Sequence, residues 1–401
     1  MSRTAPKIEL LMPEPDYAML LVANHDWYQE ALNVAYPVGL YDRLEEAKQK
    51  AAELDDRGKA TYPIEIGGET FQVMPTGAKG GKKYIISNDD LHITFSSPNK
   101  EWSMTWRAKA AALWEYGPHA LRERVYGMLE RAKIIPFTPN ERWYSLTRVD
   151  FAFDIYAPTF KQEMTPDIVN TFICPNKVKW GLDGYGDSSR PLDNKIQMQT
   201  VTVGKSKTKT CEVQIYNKTD EIVEASGKDW MYDIWGEQGG YWPAGEPEDV
   251  WRLEVRMHSD WLKEREVKDP DLYFMQEAEL LSDVLYNRRL TMPQAGDSNR
   301  HRWPMHPLYS LALNEIGNPK EFAPVGRKVT GRRDELVSQQ EIILAGSLRS
   351  LLVLEHSKGD FSEEEIDHRL AVLKQIMLSD KQHDKKIERA EYRYSDVEEA
   401  R

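Results

Sequence analysis

The 401-residue chain has little cysteine, no long hydrophobic run and no excess of positive charge. Its two cysteines, Cys174 and Cys211, supply neither a disulfide framework nor a metal cluster, and they fit a reducing compartment. No segment approaches the roughly 18 apolar residues of a membrane span, and the first thirty residues lack a secretory-signal pattern. No His-apolar-His triplet occurs, which excludes a histidine-pair metal site of that spacing. We therefore predict a cytoplasmic protein without membrane association.

The shortage of positive charge concerns the chain as a whole. A net charge of −12 argues against a uniform nucleic-acid-coating surface, because Lys and Arg drive phosphate binding. However, residues 284–333 contain nine basic and three acidic residues, and Lys205, Lys207 and Lys209 form a second basic cluster. A whole-chain sum hides such patches, so the sequence still allows local binding of a polyanion.

Hydrophobic residues make up 40% of the chain and charged residues 29%, as in globular proteins, and the length suggests two or three units at roughly 150 residues each. Residues 1–60 are predicted to be a lead-in with one helix. Residues 61–315 are predicted to form one domain, in which strands followed by a helix occur twice, in halves of about 61–140 and 141–290. Residues 316–401 are predicted to form a helical region with a charged tail. These patterns predict an α+β fold of two related antiparallel-sheet-plus-helix halves with a C-terminal helical extension.

The stretch "TCEVQIYNKTDE" alternates like a strand, so that Tyr216 and Lys218 share one face while Val213 and Ile215 share the other. A buried Val and Ile face is ordinary for a sheet. Tyr216 taken alone is best interpreted as structural, since strands favour tyrosine. Lys218, two residues later on the same face, makes a functional role for Tyr216 possible if neighbouring strands add further polar groups.

Two further strands, "RVDFAFD" and "WRLEVRM", each place charged residues opposite an apolar face. Arg148, Asp150 and Asp154 share a face of the first, and Arg252 and Glu254 share a face of the second. If the strands are neighbours, Asp150 and Glu254 repel each other, and a divalent cation would relieve that repulsion. Alternatively, the charges form cross-strand ion pairs on a solvated face, worth roughly 0.2 to 1 kcal/mol each. The pattern leaves both interpretations open.

In their order along the chain, "LTRVDFAFD", "VTVGKSKTKTCEVQIYNKTDE" and "WRLEVRM" resemble the replication initiation factor family. That family comprises rolling-circle initiators of small plasmids and filamentous phages, and related relaxases of integrative conjugative elements. The upstream "LHITFSS" and the downstream "NRHRWPMHPLY" also resemble it, so the resemblance covers roughly Tyr62 to Leu313.

The resemblance implies a DNA nicking and strand-transfer enzyme. Tyr216 would attack an origin phosphodiester and leave a 5′-phosphotyrosine with a free 3′-hydroxyl. A divalent metal, Mg²⁺ or Mn²⁺, would be held by Asp150 and Glu254, with Asp154 as a further ligand, and Lys218 would activate the nucleophile. Because the covalent link keeps the bond energy, such an enzyme rejoins strands without ATP.

The resemblance also implies partners. These are origin DNA, single-stranded or supercoiled and carrying a hairpin, a host helicase, and a second copy of the chain. The candidate DNA contacts are Lys205, Lys207, Lys209, Arg148, Arg252, Arg300 and Arg302. Three alternatives stay open at this point: a relaxase for conjugative transfer, a non-cutting DNA-binding regulator, and a nonenzymatic protein with ordinary ion pairs.

Overall fold

Strand β1 (Met19–Leu32) lies in the interior of a large antiparallel sheet. The computed structural model describes residues 17–54, 60–97, 101–137, 142–174, 181–182, 200–204, 211–243, 245, 247–317 and 361–379, with scattered helical residues from 337 to 355. The sheet has eleven strands, and each neighbouring pair is antiparallel. Together with the helices below, it confirms the predicted α+β class.

The other ten strands of the sheet flank β1 on its two sides. On one side, moving outward, are β7 (Met104–Ala108), β6 (Leu91–Phe95), β5 (Tyr84–Ser87), β4 (Glu69–Val73) and β3 (Tyr62–Ile66). On the other side are β9 (Tyr144–Tyr156), β14 (Val250–His258), β13 (Cys211–Asn217), β12 (Thr200–Val203) and β11 (Gly181–Leu182). Two small pairs lie apart from it: β2 (Val34–Ala35) with β8 (Ile135–Pro136), and β10 (Phe172–Ile173) with β15 (Arg289–Leu290).

Strand β1 is the main departure from the prediction, which placed one helix and no strand before residue 60. It pairs with β7 on one side and with β9 on the other, so it joins the strands of the two predicted halves. Its register to β9 shifts between Leu20 and Val22, between His25 and Trp27, and between Gln29 and Glu30. Each bulge breaks the two-residue alternation by which a strand is recognised, which explains why the sequence pattern missed it.

The helices were predicted more successfully. The predicted helix near residue 44 is α1 (Leu40–Glu53), and its buried stripe is Leu40, Leu44, Ala47 and Ala51. Helix α2 (Ala110–Arg131) is kinked at Gly117, whose φ of 74° favours glycine, and Pro118 opens the straight segment that follows. The stretch "TPDIVNTFIC" has the sequence pattern of a short helix, but it forms instead a 3₁₀ turn over Pro166–Thr171.

The helices after β13 are, in chain order, α3 (Lys218–Glu221), α4 (Trp230–Glu237), α5 (Ser259–Glu264), α6 (Pro270–Met275), α7 (Glu277–Asn287) and α8 (Pro307–Glu315). Helix α7 packs against β13 and β14, and α8 packs against β1. The predicted apolar faces of β13 and β14 have no exposed surface at Val213, Ile215, Leu253 or Val255. These residues form the core beneath the charged face.

The chain divides into two compact units, Met1–Lys263 with Val267–Pro324, and Glu264–Glu266 with Val325–Arg401. In the second unit, α9 (Glu363–Ser379) begins directly after Ser362, a residue type that favours the N-terminal cap of a helix. The Ser362 hydroxyl accepts from the Glu365 amide at 3.3 Å, and the Ser362 amide donates to the Glu365 carboxylate at 2.8 Å, which is a reciprocal capping box. None of the helices in the described part of the chain is long and apolar enough to cross a membrane.

Candidate active site

The polar faces predicted on three separate strands come together on neighbouring strands of the sheet. Strand β14 lies between β13 and β9, so that Arg252 is opposite Tyr216 on one side and Asp154 on the other. Arg256 is likewise opposite Asp150. The expectation that the carboxylates of β9 and β14 lie on adjacent strands is therefore met by the register.

This face opens into a cavity of about 390 Å³. It is lined by six basic and four acidic side chains, so its wall has an excess of positive charge within an acidic chain. The lining residues are Asp26, Trp27, Arg107, Ala108, Lys109, Ala110, Arg148, Asp150, Gln214, Tyr216, Lys218, Glu221, Lys228, Glu254 and Arg256. The cavity thus brings together both predicted catalytic residues and two of the three predicted metal ligands.

Tyr216 lies in the wall of this cavity with 8% of its surface exposed. Its hydroxyl donates a hydrogen bond to Oε2 of Glu254 at 3.2 Å. Burial raises the pKa of Tyr216 well above its usual value, and the negative charges of Glu254 and Asp26 raise it further. Arg252 and Arg256 oppose this effect without reversing it. The phenol is therefore protonated at neutral pH and is hydrogen-bonded to a carboxylate that could take its proton.

Asp150 and Glu254 are each held by an arginine two residues away on the same strand. Nε of Arg148 donates to Asp150 at 2.9 Å, and its terminal nitrogen bonds the second oxygen. Arg256 bonds Glu254 in the same two-pronged way, at 2.9 and 3.1 Å. Both carboxylates are thus in ion pairs, as one of the two interpretations expected. However, these pairs join residues of one strand and not residues of neighbouring strands.

The two carboxylates differ in their affinity for protons. Burial raises the pKa of Asp150 to about 7 against the opposing hydrogen bonds and charge of Arg148, and the negative charge of Glu254 also raises it. Burial also raises the pKa of Glu254, but the charge and hydrogen bonds of Arg256 outweigh it, so its pKa lies below the usual value. Glu254 is therefore the ionised member at neutral pH, so it can accept the hydrogen bond that Tyr216 donates.

Asp154 is enclosed by Arg252 and Trp235, so it is not positioned as the metal ligand that was expected. Its carboxylate has no exposed surface and accepts from Arg252 at 2.6 and 2.8 Å and from the indole of Trp235 at 2.9 Å. Arg252 is equally buried and also bonds Asp26 at 2.9 Å. Because the guanidinium is enclosed by these partners, Arg252 is not positioned for the predicted direct DNA contact. Asp154 and Arg252 therefore form a cross-strand ion pair, which was the alternative to a metal site in the sequence analysis.

Lys218 departs from its predicted place on the strand but keeps its place in the site. The strand ends at Asn217, whose side chain accepts from the Asp220 amide at 3.1 Å and caps α3. Lys218 is the first residue of that helix, and its ammonium lies 5.8 Å from the centre of the Tyr216 ring while it pairs with Glu221. Burial lowers the pKa of Lys218, and the positive charge of Arg252 lowers it further.

The donors fit a divalent metal only in part. Within the described ranges, no three His, Cys, Asp or Glu side chains are grouped so that they could hold a metal ion. Asp150 and Glu254 nevertheless present hard oxygens to one cavity, and Mg²⁺ is commonly bound by one or two carboxylates together with water and substrate phosphates. Since both carboxylates are bonded by arginines, a metal would have to share or replace Arg148 and Arg256.

The other predicted DNA contacts have different outcomes. Lys205, Lys207 and Lys209 are outside the described residues. Arg300 donates to the Asn170 carbonyl at 2.7 Å, and Arg302 pairs with Asp297, and neither lines the cavity. Arg148 does line it.

Sequence reasoning missed several residues of the site, and all come from segments distant from the three strands. Asp26 lies within a bulge of β1, which the register skips between His25 and Trp27. A bulge re-aims a side chain, and here the Asp26 carboxylate meets Arg252. Arg107 and Lys109 come from the end of β7 and the loop before α2. Only the polar run "NHDWYQE" in β1 offered a signal.

Comparisons with known proteins give little. No family model matches the sequence, and no curated protein matches it. Among solved structures, the chain is similar to the Rolling Circle Replication Initiator Protein from Geobacillus stearothermophilus, with a TM-score of 0.39 and 13% sequence identity over 78% of this chain and 100% of that chain.

Proposed function

We propose that the protein nicks DNA and transfers the cut strand through Tyr216, and that it starts rolling-circle replication in this way. The observation that supports it is the hydrogen bond from the Tyr216 hydroxyl to Glu254, in a cavity whose wall has excess positive charge. Buried tyrosine hydroxyls commonly bond a carboxylate, as Tyr28 bonds Glu30 in this sheet. What sets Tyr216 apart is that its pair with Glu254 lines a cavity with excess positive charge, where a DNA phosphate could be held beside the hydroxyl.

The residues of this chain account for the proposed step. Oη of Tyr216 attacks the phosphorus, the bond to the 3′-oxygen breaks, and the phenolic proton passes to Glu254. Proton acceptance is needed because burial keeps the pKa of Tyr216 high. Lys218 and Arg256 then stabilise the negative charge that develops on the phosphate, and the 3′-oxygen leaves as a hydroxyl after taking a proton from solvent.

We propose Mg²⁺ or Mn²⁺ as the cofactor. When bound at Asp150 and Glu254, a divalent cation would polarise the scissile phosphate. The arginines that now hold the two carboxylates would turn toward the DNA backbone. The partner is origin DNA, whose single-stranded region enters the cavity. A recruited helicase and a homodimer remain predictions from the family resemblance, as does the use of the same chemistry for conjugative transfer.

A second candidate is a DNA-binding regulator that does not cut. The two-pronged arginine pairs favour it, because they leave Asp150 and Glu254 already neutralised in the resting protein. Such a protein would hold DNA phosphates in the same cavity without breaking a bond. The two candidates differ in one measurable outcome, a covalent protein-DNA adduct.

The test is a search for that adduct. The full chain is incubated with 3′-end-labelled single-stranded fragments that tile the replicon carrying its gene, in Mg²⁺, Mn²⁺ or EDTA, and is analysed on a denaturing gel. We expect a labelled protein band with one fragment and a divalent metal, and complete loss of that band for Tyr216→Phe. Adduct formation by Tyr216→Phe would reject the assignment of the nucleophile.

The matched control is Tyr241→Phe, which removes a hydroxyl bonded to the Glu248 carbonyl outside the cavity lining. This variant is expected to form the adduct as the parent does. Absence of any adduct with every fragment, while the parent still binds single-stranded DNA, would favour the regulator. An adduct that forms equally in EDTA would reject the metal and retain the tyrosine chemistry.

A further inference from the structure

The six cations that line the cavity fall into two groups. Arg148, Arg256 and Lys218 are paired with Asp150, Glu254 and Glu221, respectively. Arg107, Lys109 and Lys228 line the same cavity but have no side-chain ion pair with any residue in the described part of the chain. The excess positive charge of the cavity therefore resides in these three residues.

Arg107 is the most constrained of the three. Its guanidinium lies 4.2 Å from the centre of the Trp27 ring, and that of Arg148 lies 4.1 Å from the same ring. The Nε of Arg107 is buried without a hydrogen-bond partner among the described residues. Its neighbour on the next strand, His92, is half-buried, and burial together with Arg107 and Lys109 lowers its pKa to about 4. Two like charges against one indole and beside an uncharged histidine form a site that lacks an anion.

Sheet register places this group next to the reacting residues. Arg107 on β7 and Arg148 on β9 are both opposite Gln29 of β1, so the two arginines flank the same position of the central strand. Trp27 is opposite Asp150, and Asp150 is opposite Arg256. Cationic side chains from β7, β9 and β14, namely Arg107, Arg148 and Arg256, thus line one cavity, with Asp150 opposite Arg256.

We propose that Arg107 and Lys109 form a phosphate-binding subsite for the backbone of single-stranded DNA, and that Trp27 is a positioning residue that holds the Arg107 guanidinium toward the cavity. The proposal rests on the proposed function, since it places a second phosphate of the strand that Tyr216 attacks. Planar guanidinium groups match phosphate oxygens in a two-pronged geometry, and Lys109 adds a point charge at the rim. Because the indole is covered by arginines, Trp27 is not itself the surface on which bases stack.

The test separates phosphate binding from cleavage. The affinity of the full chain for a fluorescein-labelled single-stranded 20-mer of mixed sequence is measured by anisotropy in EDTA, from low to moderate salt. We expect Arg107→Gln to weaken binding about five- to tenfold at low salt and to reduce the salt slope by about 0.7, the value for one phosphate contact on a single strand. Trp27→Leu is expected to weaken binding less, and Trp27→Phe is expected to restore it.

The control is Arg131→Gln at the other end of α2, where the guanidinium donates to the Gly67 carbonyl outside the cavity. Its affinity and slope are expected to match those of the parent. Unchanged affinity and slope in folded Arg107→Gln would overturn the proposal. If that variant does not fold, as judged by circular dichroism, Lys109→Gln replaces it, and an unchanged slope there has the same consequence.

The outcomes for the two proposals are distinguishable. A parent chain that forms no adduct but loses DNA affinity in Arg107→Gln would reject the nicking function and retain the subsite. A parent chain that forms the adduct with an unaltered salt slope in Arg107→Gln would do the reverse. A parent chain that binds no single-stranded DNA at low salt would reject the subsite outright.

Discussion

Two groups of charges on the same sheet differ in how completely they are enclosed. Arg252 and Asp154 have no exposed surface. The Arg252 guanidinium donates to Asp154 and Asp26, and the Asp154 carboxylate also accepts from the Trp235 indole. Arg107 and Lys109 are half-buried at the cavity wall and have no carboxylate partner in the described part of the chain. Arg252, Asp154 and Arg107 lie on strands of one sheet, and Lys109 directly follows the end of β7.

The difference shows that the role of a charged residue on a strand depends on whether its charge is buried against a partner or exposed to a cavity. A buried charge must be matched inside the protein, because desolvation of an unpaired ion is costly. A charge at a cavity wall keeps part of its hydration and can bind an external anion. The enclosed pair of Arg252 and Asp154 is therefore expected to contribute to stability, and Arg107 and Lys109 are expected to contribute to binding.

The largest effect is expected from Asp154→Ala. Removing this carboxylate leaves the Arg252 guanidinium buried and matched only by Asp26, and breaking such a pair costs about 3–5 kcal/mol of unfolding free energy. Urea denaturation followed by circular dichroism measures it. A change below about 1 kcal/mol would show that the enclosed group is not a structural pair.

Glu254→Gln is expected to have the next largest effect, and on chemistry instead of stability. The amide can still accept a hydrogen bond from Tyr216, but it cannot take its proton and is a weaker ligand for the proposed cation, so the adduct should form about a hundredfold more slowly. Single-turnover labelling of the protein by a single-stranded fragment measures the rate. The control is Glu163→Gln, which alters an ion pair with His306 away from the cavity and is expected to leave the rate unchanged.

A smaller effect is expected at His92 when Arg107 is replaced. Burial is the largest cause of its pKa of about 4, and the positive charges of Arg107 and Lys109 add to it. The pKa of His92 should therefore move upward, toward the usual 6.5, in Arg107→Gln, as followed by NMR titration of the ring nitrogens. An unmoved pKa would show that Arg107 is already neutralised.

The sign for stability follows from the same shift. Since the pKa of His92 is lower in the folded chain than in the unfolded chain, its contribution to stability is present above about pH 6.5 and is lost as the pH falls toward 4. His92→Gln is expected to reduce the loss of stability over that range. Thermal unfolding of both chains at pH 7 and pH 5 measures the difference.

The smallest effect is expected from Arg302→Gln. This arginine pairs with Asp297 on the surface, where solvent screens the interaction. The urea midpoint should stay within experimental error, in contrast to Asp154→Ala. A shift as large as that of Asp154→Ala would remove the distinction between enclosed and exposed pairs.

Much of the site was predictable because strand alternation is a local property. The side chains of Tyr216, Asp150 and Glu254 were assigned to one polar face each, and the structure brings all three to one cavity. Lys218 was assigned to a strand that in fact ends at Asn217, yet its side chain lines the same cavity. The assignment of Asp154 as a ligand did not anticipate Trp235, which approaches from a helix 81 positions away in the chain.

The rest was not predictable because it depends on β1. Nothing in a two-residue alternation indicates a strand that contains three register shifts. Without that strand, Asp26 and Trp27 have no place in the site, and β7 with Arg107 cannot be related to β9 with Arg148.

By itself, the sequence determined the class of fold, several of the helices, and the type of chemical group that each of three strands offers. These follow from periodicity and propensity, which act over a few residues. Only the tertiary structure decided which of the charges are matched internally and which are left at the cavity wall. That outcome depends on strand order, register and burial, because the same carboxylate or guanidinium is neutralised when enclosed and available for binding when it meets a cavity.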